Sequence, residues 1–137
     1  MKISTKGRYV LRVMIDIARN GGENEYIPLV QIAERQGISK KYLESILVVL
    51  TREGFLEGVR GKGGGYKLTR SPDKYTLGSI LMPVEESLAP VICMGEGART
   101  CGGGDCCRAR KVWAGLDKVV YDYLNGITLA EILDDEI

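Results

Sequence analysis

Between Thr5 and Asn20 the apolar residues Val10, Val13, Met14 and Ile17 recur at helical spacing, and Asn20-Gly21-Gly22 supplies a stop. This pattern predicts a first helix. Ile27-Pro28-Leu29 opens a second, with Pro28 in its first turn and Leu29, Ile32 and Ala33 as the buried stripe up to Gly37. A tight turn, Gln36-Gly37-Ile38-Ser39, leads into a third helix capped by Ser39. Its apolar positions Leu43, Ile46, Leu47 and Leu50 share one face before Gly54 ends it. The opposite face carries Lys40, Lys41, Glu44 and Ser45. Two helices joined by a glycine-containing turn, the second polar and basic at its start, form a helix-turn-helix pattern.

Phe55 to Arg60 and Tyr66 to Arg70 read as two short strands around Gly61-Lys62-Gly63-Gly64-Gly65, the wing of such a motif. Downstream, Thr76 caps a helix through Leu77, Ile80 and Leu81 that Pro83 ends or kinks. Val112, Leu116, Val119, Val120 and Tyr123 mark a long amphipathic helix stopping at Asn125-Gly126, and Thr128 with Glu131 makes a capping box for a last short one. Trp113 and Leu124 widen the long helix's stripe beyond what a domain this small readily covers, which favours a dimer seam over simple packing on its own core. The expected fold is mainly α with a small β-hairpin: a winged helix-turn-helix DNA-binding domain over 1–75, then a cysteine loop and dimerisation helices over 76–137.

At 137 residues, 45% hydrophobic and 27% charged, the chain can build one core, and nothing in it is of low complexity. The net charge of +1 hides an asymmetry. Residues 1–74 hold 14 Lys and Arg against 8 Asp and Glu, or +6, whereas 75–137 hold 5 against 10, or −5. A basic amino-terminal half suits phosphate contacts, although chance scatter along a neutral chain gives the same totals. The longest uncharged run, Tyr75 to Val84, falls far short of the ~20 apolar residues of a membrane span. The opening Met1 to Lys6 lacks the apolar core of a signal peptide, so no membrane association and a cytoplasmic location are expected.

In the third helix, Ser39, Lys40, Lys41 and Tyr42 occupy the end that would meet phosphates and base edges first. Lys41 and Ser45 lie one turn apart, and Glu44 could accept from cytosine N4 while being repelled by phosphate, a selector more than an anchor. Arg60 stands at the wing base and Lys62 at its tip, where a basic side chain enters the minor groove. These charges could also be an ordinary solvated face; the adjoining wing favours contact with double-stranded DNA. A phosphate-cradling nucleotide loop does not fit the glycine run, because a strand and not a helix follows it.

Cys93, Cys101, Cys106 and Cys107 are spaced C-x7-C-x4-C-C on a glycine-rich stretch. That matches neither the pairs of zinc ribbons nor plant-type ferredoxins. Clustered thiols in a reducing compartment are metal ligands or redox thiols more often than disulfides. An iron-sulfur cluster is the leading reading, with a zinc site, a redox thiol switch and inert thiols behind it. No constellation for hydrolytic or acid-base catalysis is visible, and the chain contains no histidine.

The segments I-S-T-K-G-R-Y, E-R-Q-G-I-S-K-K-Y-L-E, V-R-G-K-G-G-G-Y, C-G-G-G-D-C-C and I-T-L-A-E-I-L together resemble the IscR family of bacterial iron-sulfur cluster regulators over nearly the whole chain. The resemblance implies a [2Fe-2S] cluster on Cys93, Cys101 and Cys107, a homodimer, a near-palindromic operator with half-sites about one turn of ~10 bp or a multiple apart, and control of cluster-assembly genes by repression or activation. In that family a histidine three residues after the last cysteine completes the ligation, where this chain has Arg110. Arginine stays protonated and does not ligate. Cys106, Asp105, Glu96 or an exogenous group could replace it, and a [4Fe-4S] cluster on three thiolates is the other option. The nitric-oxide-sensing relatives use a carboxylate from the first helix, where this chain has Arg8. The competing functions are a metal-free winged-helix repressor responding to redox state or cysteine supply, and a small iron-sulfur electron carrier, which would have no use for a basic recognition helix.

Overall fold

A computed structural model describes residues 2–94 and 107–137. Helix α1 (Thr5–Asn20) begins where the Ser4 hydroxyl accepts the Gly7 N–H at 3.0 Å, and it buries Val10, Val13, Met14 and Ile17 completely. Helix α2 (Leu29–Gln36) ends in Gly37, whose left-handed conformation (φ 65°) is costly for a residue with a Cβ. Helix α3 (Lys40–Arg52) starts from Ser39, whose hydroxyl accepts the Tyr42 N–H at 3.1 Å. The three helices and the turn between the last two are the predicted helix-turn-helix.

Pro28 departs from expectation: it precedes α2 in an extended conformation (ψ 140°) instead of occupying the first turn. The reason is its neighbour. Ile27 pairs antiparallel with Tyr66, donating to its carbonyl and accepting from its N–H, both at 2.9 Å, so the chain enters Pro28 already extended.

The hairpin consists of β1 (Leu56–Val59) and β2 (Gly65–Leu68), antiparallel with Leu56 opposite Leu68 and Val59 opposite Gly65. Both strands are shorter than the periodicity predicts, and Tyr75 accounts for much of this. Its buried hydroxyl donates to the Phe55 carbonyl at 2.8 Å and accepts from the N–H groups of Thr69 at 3.1 Å and Arg70 at 3.2 Å, competing with the cross-strand bond from the Thr69 N–H to Phe55 O, which is stretched to 3.4 Å. The Phe55 N–H caps α3 through the Leu50 carbonyl at 2.9 Å. At Gly65 (φ 145°) a side-chain carbon would collide with the Ile27 carbonyl, so glycine allows the third rung to close on the hairpin.

After a 3-10 turn (Pro72–Lys74) come α4 (Leu77–Leu81), α5 (Arg110–Gly126) and α6 (Leu129–Leu133). Thr76 and Thr128 head α4 and α6 with capping boxes, and the two caps face each other. The Leu77 N–H donates to Ile127 O and the Leu129 N–H to Tyr75 O, each at 2.9 Å. The core thereby gathers α1–α3, Leu56, Leu68, Tyr75, Ile80 and Leu129. Helix α5 contributes little to it: Leu124 is its one buried residue, while Val112 (63% exposed), Leu116, Val119 (65%) and Tyr123 lie open. Among the described residues no helix is long and apolar enough to cross a membrane.

Candidate functional site

The surface of α3 follows from its core stripe. With Leu43, Ile46, Leu47 and Leu50 turned inward, Lys40, Lys41, Glu44 and Ser45 are all exposed. Ser39 is committed to capping, and the Ser45 hydroxyl donates to the Tyr42 carbonyl at 2.6 Å, leaving its lone pairs as acceptors. Tyr42 differs from a freely projecting contact: its half-buried ring packs on the core and meets Tyr9 edge-on, with centroids 5.7 Å apart. Tyr9 in turn carries the Arg12 guanidinium over its face at 4.9 Å, and the Arg12 Nε donates to Gln36 Oε1 at 2.9 Å. A chain of contacts therefore runs from α1 to the start of α3.

The hairpin places Arg60 just past β1 and Lys62 in the turn, both exposed. Neither has a carboxylate partner among the described residues. Two residues on the open face of α3 escaped the sequence reading, Val48 (62% exposed) and Arg52. The signal was present, since Val48 lies off the Leu43–Leu50 stripe, but an apolar residue in an apolar run is easily assigned to the core.

Asp16 is a further residue the periodicity concealed, a buried carboxylate at the edge of the α1 stripe. It accepts from Arg35 Nε at 2.9 Å, from its terminal nitrogen at 2.7 Å and from Gln36 Nε2 at 2.8 Å. The hydrogen bond to Asp16 is the main reason the Arg35 pKa stands above its ordinary value. This fork locks α2 onto α1 and so sets the position from which the turn delivers α3.

Cys93 and Cys107 are free thiols, each half-buried, at the two ends of the segment that carries the remaining cysteines. Cys107 stands three residues ahead of α5, and its carbonyl accepts the Arg110 N–H at 3.2 Å. Arg110, at the position where the IscR pattern has histidine, is the exposed first residue of α5. Cys101, Cys106, Glu96 and Asp105 lie outside the described residues. Within the described ones, no three Cys, Asp or Glu side chains converge as a metal site. The donor chemistry fits a soft metal centre: thiols free of any disulfide, on non-helical backbone, at Cys93 and Cys107.

The Rrf2 family, described as an iron-dependent transcriptional regulator, matches residues 3–135. The HTH-type transcriptional regulator IscR of Vibrio campbellii is 39% identical over 135 residues, covering 98% of this chain and 79% of the relative. That of Klebsiella pneumoniae is 38% identical over 136 residues, covering 99% and 82%. The solved structure of CymR, the global cysteine regulator of B. subtilis, superposes with a TM-score of 0.83 at 32% identity, over 98% of this chain and 97% of that one. T. potens IscR gives 0.77 at 36% identity, over 100% and 89%. Helix-turn-helix, wing and these likenesses together make the chain a winged-helix transcriptional regulator of the Rrf2 family.

Proposed function

We propose that this protein is an iron-sulfur-cluster-sensing transcription regulator that binds a near-palindromic DNA operator as a homodimer in the cytoplasm and governs cluster-assembly genes. The observation that carries the metal reading is the pair of free, half-buried thiols, Cys93 and Cys107, bracketing a stretch of sequence with two more cysteines. Cys93, Cys101 and Cys107 would hold the cluster, a [2Fe-2S] centre by resemblance, with Cys106, Asp105, Glu96 or an exogenous group as fourth ligand. When bound, the cluster supplies an oxygen- and redox-sensitive occupancy that serves as the signal.

The chain's own residues link Cys93 and Cys107 to both working faces. Upstream of Cys93, Glu85 is hydrogen-bonded to Ser4 at the start of α1; downstream, Cys107 leads directly into the exposed apolar stripe of α5. Fixing the two cysteines relative to one another therefore constrains the DNA-binding half against the dimer seam. Lys40 and Lys41 at the α3 start serve the major groove with Glu44 and Ser45 behind them, and Arg60 and Lys62 serve the minor groove. Val112, Leu116, Val119 and Tyr123 supply a contiguous apolar stripe for a second copy.

A second reading is a metal-free regulator of cysteine metabolism. The likeness to CymR, a TM-score of 0.83 over 98% of this chain, favours it. Iron, acid-labile sulfide and the visible spectrum of anaerobically purified protein separate the two. Coloured, iron-containing protein that loses its spectrum in Cys93→Ala and Cys107→Ala upholds the cluster. Colourless, iron-free protein from oxygen-excluded cells with intact cluster supply rejects it in favour of the second reading.

A further inference from the structure

We infer that Val48 is a specificity residue, reading the 5-methyl group of a thymine in the major groove. The inference rests on the DNA-binding reading above and names which base feature α3 recognises.

At 3.6 residues per turn, Lys41, Ser45, Val48 and Arg52 fall within about 60° of one another around the helix. Val48 thus sits on the line of the polar residues assigned to the groove, two turns beyond Lys41. A lone exposed valine is ordinary. This one is not isolated: it lines an open groove between α3 and the hairpin together with Leu47, Thr51, Tyr66 and the exposed Val59. Arg52 and Arg60 line the same groove, both exposed and neither paired with a carboxylate among the described residues. Val48 is thus an apolar point on a groove-facing surface that also carries two cations, Arg52 suited to a phosphate and Arg60 to the minor groove as assigned above.

In the major groove the only apolar group that distinguishes one base from another is the thymine methyl, and aliphatic side chains are its usual partners. The ~1.5 Å rise per residue puts Val48 about 10 Å along the helix from Lys41, so the preferred thymine lies further along the groove than the base that Lys41 approaches.

The test uses full-length, anaerobically purified protein. An operator is first enriched from a pool of random duplexes at fixed salt, and each of its thymines is then replaced in turn by deoxyuridine, which removes only the methyl. Wild-type protein should lose about fourfold in affinity at one position per half-site, from about 0.8 kcal/mol per buried methyl-sized group at 1.4 kcal/mol per tenfold. Val48→Ala should be indifferent to uridine there while keeping the wild-type salt dependence and melting temperature. Identical uridine profiles for both proteins would overturn the role of Val48 alone. Failure of the wild type to enrich any duplex would overturn the DNA-binding reading, and this one with it.

Discussion

Glu85 accepts two hydrogen bonds from Ser4 through a single oxygen, the Ser4 N–H at 3.0 Å and its hydroxyl at 2.9 Å. Residues 81 apart in sequence are thus joined at the start of α1, where the same Ser4 hydroxyl accepts the Gly7 N–H. Gly7 lacks a side chain where the Glu85 carboxylate rests. A negative charge here also complements the helix N-terminus.

Glu85→Ala should cost about 1–2 kcal/mol, because two partly buried donors lose a charged acceptor. A lower urea midpoint with an unchanged slope would register it. Under the proposed coupling, the variant should also narrow the difference in DNA affinity between cluster-loaded and cluster-free protein.

The Asp16–Arg35 pair should respond asymmetrically. The Asp16 side chain is 2% exposed and that of Arg35 37%. Removing the guanidinium strands a buried carboxylate, with Gln36 as its main remaining side-chain donor, whereas removing the carboxylate leaves an arginine that reaches water. Arg35→Ala should therefore cost about 3 kcal/mol and Asp16→Ala about 1–2 kcal/mol in urea unfolding. Equal losses would contradict this account of α2 positioning.

A single charge on the α5 stripe should separate the proposed dimer while sparing the fold. Val119 is exposed in the isolated chain, so Val119→Glu ought to leave the unfolding of a monomer unchanged. Its scattering mass should nonetheless fall from twice the chain mass to the single 15.0 kDa chain.

Lys41→Ala and Arg60→Ala should each weaken operator binding and lower the salt slope by up to about 1, because each removes one cation from the groove-facing surface. Neither should alter the visible spectrum. Unchanged affinity for both would mean that α3 and the hairpin do not dock as proposed.

Much of the fold is legible in the chain, because a helix facing a core must place apolar residues every three or four positions. Val10 to Ile17 and Leu43 to Leu50 do so without interruption, and Ser39, Thr76 and Thr128 mark starts through local bonds that need no distant partner. The excess apolar face of α5 was visible for the same reason. The exposed charges of α3 and the wing followed once those stripes were assigned.

Contacts between distant segments were decided only by tertiary structure. The Ile27–Tyr66 rung displaces Pro28 from α2, the Tyr75 hydroxyl competes for the backbone groups at the open end of the hairpin, and Asp16 is buried at the edge of the α1 stripe because its partner, Arg35, comes from another helix. Val48 lies off the Leu43–Leu50 stripe, but that it opens onto a groove shared with the hairpin depends on how β1 and β2 pack beside α3. Periodicity and capping are short-range and written in neighbouring residues, so the sequence alone determined which segments are helices and where they begin. Which hydroxyl, carboxylate or valine meets which partner depends on chain closure over tens of residues, and packing of the whole core decided it.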